Sequence, residues 1–319
     1  MSRIVRTVLG DIKAEKLGVT YCHDHLAVFP VDGVELEERL LIDEPDKTLE
    51  ELFNFRNSGG CSIVDAQPFG AGRNPGVLRD LSAKSGVNIV ASTGLHKLFF
   101  YPEDFYSKKA STEELVELFV SEIEEGMWRY DPSNPFGERT NIRAGLIKVA
   151  TDSDGLTDYY KKVFKAAALA SLETGAAIMT HTELGRFAED QIDFLLKNGL
   201  KEKKIIISHL DRKIDIPRCT RIAESGVFLQ FDTIRRFKYH SDTEEAELVA
   251  ELLGRGYGDR ILFGMDSTKE RFRSYGSEFG LDYILTDFKE LLFNAGVNEE
   301  NFKAILEKNP ARALSIEVC

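Results

Sequence analysis

His23 and His25 stand two residues apart in the segment TYCHDHL. On an extended strand such residues share a face, so both imidazoles can reach one metal ion. His181 in MTHTE, His209 in ISHLD and Asp266 in LFGMDS each close a short apolar run of their own, and Lys148 lies near the end of another, GLIKVA. Taken alone, His23 and His25 read more simply as two surface histidines in a loop, since an isolated His-x-His motif constrains little, and His181 and His209 as capped or satisfied core residues. The count changes that reading. The chain has six histidines, and every one but His96 and His240 falls at a matching strand end. Neutral imidazole is the commonest protein ligand for zinc-like ions, so four converging histidines with Asp266 read as a metal site. Lys148 admits two accounts. Its ammonium can snorkel into water, or desolvation can lower its pKa so that the neutral amine adds carbon dioxide and the carbamate bridges two metals.

These residues need a frame that gathers strand ends. Apolar or β-branched runs over 17–25, 61–66, 87–93, 144–149, 176–181, 204–209, 227–232 and 261–266 predict eight strands, separated by amphipathic stretches. Capping boxes are expected at Thr48 with Glu51 and at Ser111 with Glu114, a helix over 111–129, and another over 157–174 stopped by Gly175. In that last helix Tyr160, Phe164, Ala167, Ala168 and Leu172 recur at helical spacing and predict one apolar face. Strict alternation implies parallel strands with right-handed crossovers, and no GxGxxG follows the first strand to support a dinucleotide-binding sheet. The expectation is a (β/α)8 TIM barrel, one domain over 1–319, with a β-hairpin at 3–16 closing its floor. His23, His25, Lys148, His181, His209 and Asp266 then all lie on the C-terminal rim, where barrel active sites are built.

The segments TVLGDIKAEKLGVTYCHDHL, LIKVAT, THTE, SHLDR and ILFGMDS, in this order, resemble the phosphotriesterase family of the amidohydrolase superfamily, and NPARAL resembles its closing helix. The resemblance covers nearly the whole chain. It implies two divalent ions, zinc or else manganese or cobalt: His23, His25 and Asp266 on the buried one, His181 and His209 on the outer one, and carboxylated Lys148 (N6-carboxylysine) with a hydroxide between them. Asp266 would also be the catalytic proton carrier. Two departures stand out. Asp24 occupies a position where Glu is frequent, and Thr233 stands where the organophosphate hydrolases use a shuttling histidine, which weakens a triesterase reading.

Charge points to the substrate. With 41 basic and 53 acidic residues the net charge is −12, which disfavours nucleic acid and anionic membranes as partners. Yet TIRRFKYHS after the seventh strand and STKERFRSYG after the eighth together carry +5, in the loops that hold phosphate in many barrels. The resemblance is nearest to a sugar-phosphate (phosphofuranose) lactonase branch, in which a lysine after strand seven and an arginine and tyrosine after strand eight hold the phosphate. Lys238 fits the first role, and Arg271, Arg273 and Tyr275 are candidates for the others, with Arg235 and Lys97 of lower weight. The expected activity is hydrolysis of an anionic sugar lactone. An unphosphorylated lactonase or promiscuous phosphotriesterase is the alternative, and a binding protein on a dead barrel would be expected to have lost ligands. Scattered Cys22, Cys61, Cys219 and Cys319, with no apolar leader and no run of about 20 apolar residues, predict a cytoplasmic protein. A homo-oligomer, as a dimer, is expected.

Overall fold

The computed structural model describes residues 2–318. A hairpin of β1 (Ser2–Thr7) and β2 (Gly10–Lys13) leads into eight strands: β3 (Thr20–Asp24), β4 (Ser62–Asp65), β5 (Asn88–Gly94), β6 (Leu146–Ala150), β7 (Ala177–His181), β8 (Ile205–Ile207), β9 (Phe228–Phe231) and β10 (Ile261–Phe263). Each pairs in parallel with its sequence neighbours, from β3 through to β10. The backbone amides of Met265 and Asp266 donate to the His23 carbonyl at 3.1 and 3.0 Å and draw β10 against β3. Gly264 permits that closure, since a Cβ there would lie 2.4 Å from the His23 carbonyl oxygen. The fold is the expected (β/α)8 barrel.

All eight expected strands form, none overrunning its expected C-terminal limit by more than one residue. They are apolar throughout because both faces are covered, as parallel strands require. Inside the barrel Val64, Leu146, Met179, Ile206, Phe228 and Leu262 pack with Val5 and Leu17, so the N-terminal segment fills the end opposite the strand C-termini. The hairpin is registered from Ile4 opposite Lys13 to Thr7 opposite Gly10. Its other edge takes a third strand, β11 (Ile316–Val318), which was not expected.

The outer helices include α1 (Pro45–Asn57), α2 (Pro75–Ser85), α3 (Tyr106–Lys109), α4 (Thr112–Glu124), α5 (Asp158–Thr174), α6 (Ala188–Lys197), α7 (Ile216–Glu224) and α8 (Asp242–Gly254). The Ser111 to Glu114 capping box forms, and Gly175 ends α5 with φ +74°. Three expectations need correction. The helix expected over 111–129 ends at Glu124, because Gly126 takes φ +151° and Trp128 turns to bridge Arg139. The Thr48 to Glu51 box does not form, since α1 already begins at Pro45. Fully buried Glu51 instead accepts from the amides of Ser274 and Leu281, at 2.7 and 3.1 Å, and ties the loop after β10 to α1. On α5, Tyr160, Phe164, Ala167 and Ala168 are buried, but Leu172 is 54% exposed.

Candidate metal centre and active site

The strand ends converge as the spacing implied. His23, His25, His181, His209 and Asp266 all line one cavity of about 250 Å³ at the C-terminal rim. Lys148 lies against it, 1% exposed, with Nζ 3.3 Å from His23 Nε2. The rings of His181 and His209 are 4.4 Å apart between centroids, and those of His23 and His209 are 4.9 Å apart. Gly94 on β5 makes room for Lys148, because a Cβ there would meet the Lys148 carbonyl. His209 and Asp266 hold left-handed backbone, φ +63° and +44°, which turns their side chains at the strand ends. The other non-glycine residues with positive φ, Leu184, Phe187 and Arg235, also lie in loops after strands of this half-barrel.

One carboxylate organises the centre from behind. Asp232 at the end of β9 accepts from His209 Nδ1 at 2.7 Å and lies 2.8 Å from His23 Nδ1, though out of line for a hydrogen bond to the latter. With their Nδ1 atoms turned to Asp232, both rings direct Nε2 toward the cavity, the usual support of a metal-binding histidine. Burial holds His23, His181 and His209 below the ordinary imidazole value, His181 at about 3, so their nitrogens are available as neutral donors. Burial would raise Asp266, but Arg236 first, then the facing imidazoles and Arg212, holds it well below the usual carboxylate range. Burial also lowers Lys148 to about 8, against the opposing pull of Asp232 and Asp266.

The donor set fits a metal. Asp266 Oδ1 stands 3.7 Å from His23 Nε2 and 3.4 Å from His25 Nε2, longer than an ordinary hydrogen bond. Ligands at zinc distances from one ion are about 3.3 to 3.6 Å apart, the edge of a tetrahedron. These three residues, and His23 with His209 and Asp232, form compact groups of possible ligands.

A family model described as the phosphotriesterase family matches residues 3–314. The chain belongs to the phosphotriesterase family. It is 37% identical to a phospho-furanose lactonase of Mycoplasmopsis synoviae, over 99% of this chain and 93% of the relative. The crystal structure of an amidohydrolase from Mycoplasma synoviae superposes with a TM-score of 0.92 at 35% identity, covering 99% of this chain and 93% of that one. That of a lactonase from Listeria monocytogenes superposes with a TM-score of 0.89 at 30% identity, covering 99% and 100%. The phosphotriesterase family is one of metal-dependent hydrolases, and the protein is a hydrolase.

Of the four residues expected to hold a phosphate, only Lys238 lines the cavity. Arg271 is 6% exposed and turns inward, donating to the carbonyls of Ile234 at 2.5 Å and Arg235 at 3.3 Å. Arg273 pairs with Asp282 at 3.1 Å, and the Tyr275 hydroxyl accepts from the Glu44 amide at 3.2 Å with Lys47 over its ring. The short helical turns over Lys269–Arg271 and Arg273–Tyr275 aim these side chains away from the cavity. Lys97, held in lower weight, does line it and pairs with Glu183 at 2.6 Å.

The sequence reading missed other cavity residues. Arg212 and Arg236 both reach Asp266 Oδ2, at 3.0 and 3.2 Å. Glu183 accepts from His181 Nε2 at 2.9 Å, and Arg39 pairs with Glu37 at the rim. Arg212 and Glu183 stand inside the motifs SHLDR and THTE, so their positions were visible though their contacts were not. Lys238 alone among the cavity-lining Lys and Arg residues has no carboxylate within 4.0 Å among the described residues. Asp24 points away from the cavity and accepts from the Ser267 hydroxyl at 2.7 Å. Thr233 faces His240 rather than the cavity, with Oγ1 3.3 Å from its Nε2.

Proposed function

We propose that the protein is a dinuclear metal-dependent lactonase that opens a phosphorylated furanose lactone, acting as one catalytic domain over 1–319. The observation that carries this reading is a complete rim donor set, His23, His25, Lys148, His181, His209 and Asp266, beside a cavity in which Lys238 is the one cation without a carboxylate partner among the described residues. Relatives named phospho-furanose lactonase support the substrate class. His23, His25 and Asp266 would hold one ion, and His181 with His209 the other. Lys148 would serve both as its carbamate. When bound, zinc, or manganese or cobalt in its place, supplies an acidified water and a polarised ester carbonyl.

The chain's own groups do the rest. Asp266 presents Oδ1 to the histidines, where it would hold the ion, while Arg212 and Arg236 contact Oδ2; its carboxylate would accept a proton from the attacking water and return it to the leaving alkoxide. Lys238 takes the phosphate at a point remote from the ester. Lys97 and Glu183 form the wall beside His181, where they can orient sugar hydroxyls. Thr233 in place of a shuttling histidine favours lactone over triester. Free Cys22, Cys61 and Cys219 suit a reducing compartment such as the cytoplasm, and no described helix is long and apolar enough to cross a membrane.

A panel of sugar lactones, each with and without phosphate, assayed on zinc-loaded protein tests the reading. Turnover concentrated on a phosphorylated furanose lactone, with about two ions per chain on the two-metal model, is expected. A preference for the unphosphorylated member of each pair would reject the phosphate assignment.

A further inference from the structure

Apart from the cavity, the protein contains a second buried group of metal-ligand type: Asp211 after β8, His240 just before α8, and Glu245 in its first turn. None of the three lines the active-site cavity. Asp211 and Glu245 are fully buried, His240 is 7% exposed, and their ligating atoms all lie within 4.8 Å of one another. Asp211 Oδ2 is used by the amides of Asp232 and Thr233, at 2.7 and 2.5 Å. Its Oδ1 and both carboxylate oxygens of Glu245 have no hydrogen-bond partner. His240 Nδ1 lies 3.1 Å from the Ser241 carbonyl, which only accepts, so in the neutral ring Nε2 carries the lone pair. That lone pair faces Glu245 Oε2 at 3.6 Å and Thr233 Oγ1 at 3.3 Å.

The centre is therefore rich in acceptors and poor in donors. No lysine or arginine nitrogen lies within 4.0 Å of the Asp211 or Glu245 carboxylates among the described residues. Two carboxylates so close in a dry interior repel unless something electropositive stands between them. We propose that Asp211, His240 and Glu245, with Thr233 Oγ1 beside them, bind a divalent cation of the zinc type, separate from the ions of the active site. One imidazole with two carboxylates suits such a cation. The 3.3 and 3.6 Å separations match the tetrahedral edge of about 3.3 to 3.6 Å that zinc-ligand distances give. Bound there, the ion ties β8 and the start of α8 to the loop after β9, which carries Arg236 and Lys238. This site stands whether or not the lactonase reading does.

The test is zinc content after loading and exhaustive dialysis, measured on the parent, Glu245→Gln and His240→Gln. The parent should retain one ion per chain more than either variant. Equal content in folded variants overturns the proposal, because the carboxylates then share a proton instead. Parent crystals soaked in zinc decide the matter even where a variant fails to fold. An anomalous peak bounded by Asp211, His240 and Glu245 is expected, and no peak there overturns the site.

Discussion

Replacing Arg271 with methionine separates a structural guanidinium from a phosphate-binding one. Methionine keeps the buried apolar stem and removes the donors that serve the carbonyls of Ile234 and Arg235. Each buried carbonyl left bare costs about 1 to 3 kcal/mol. The change also removes a poorly solvated charge, since burial first and Arg236 second lower Arg271 to about 9. The two effects oppose, and a net loss of about 1 to 3 kcal/mol is expected. At the unfolding entropy typical per residue, a chain of 319 residues would then melt about 1.5 to 4.5 °C lower. The loosened loop carries both Arg236 and Lys238, so kcat/KM should fall by similar factors on phosphorylated and plain lactones. Differential scanning calorimetry and paired kinetics on the two substrates make the measurement. An unchanged Tm with a loss confined to the phosphorylated substrate would show that Arg271 reaches the phosphate, and the reasoning from its inward hydrogen bonds would fail.

Lys238→Ala should do the opposite, raising KM for the phosphorylated lactone about ten- to a hundredfold if ~1.5 to 3 kcal/mol of charge-assisted bonding is lost, with kcat held; equal losses on both substrates would remove it from the phosphate site. Lys148→Ala should lose bound metal and most activity and regain part of both with short carboxylic acids, whereas Lys148→Met should resist rescue because the side chain fills the space. Full activity of Lys148→Ala without such acids would make the lysine structural. Asp232→Asn keeps the volume but removes the carboxylate charge that the Nδ1 atoms of His209, hydrogen-bonded to it, and His23, 2.8 Å from it, both face. Metal affinity measured by chelator competition should fall about ten- to a hundredfold, and an unchanged value would show that Asp232 does not position the ligands.

Strand positions were legible because a parallel barrel strand must be apolar on both faces, and a histidine or aspartate ending such a run is conspicuous. His23, His25, His181, His209 and Asp266 are therefore readable as a set before any fold is known. What stayed hidden depends on where the chain turns after the strand. The loop after β10 contains Arg271, Arg273 and Tyr275, a phosphate-like composition, yet its short helical turns direct them to backbone carbonyls, Asp282 and Glu44. Glu51 had the spacing of a capping partner, but with Pro45 as its first residue the helix starts four residues earlier than that box would place it, which frees the carboxylate for a long-range clamp. Asp232 went unremarked because its work is done through Nδ1 atoms contributed by strands far apart in sequence. Leu172 fits the apolar spacing of α5 but sits near its end, where it stays 54% exposed.

The five non-glycine residues in left-handed backbone, Leu184, Phe187, His209, Arg235 and Asp266, all sit at or beyond strand C-termini in the second half of the barrel. Such conformations are strained by roughly 1 to 3 kcal/mol where the side chain is bulky, less for histidine and aspartate. The opposite end, plugged by Val5, Leu17 and Leu314, carries no such residue among those described. The backbone strain is thus lopsided: a relaxed base supports a strained rim. Amide hydrogen exchange should find the loops after β7 to β10 opening well before the strands beneath them. Substitutions at the base, at the end of the barrel opposite the chemistry, then become the changes that decide how much remodelling the rim can tolerate when a new substrate is selected.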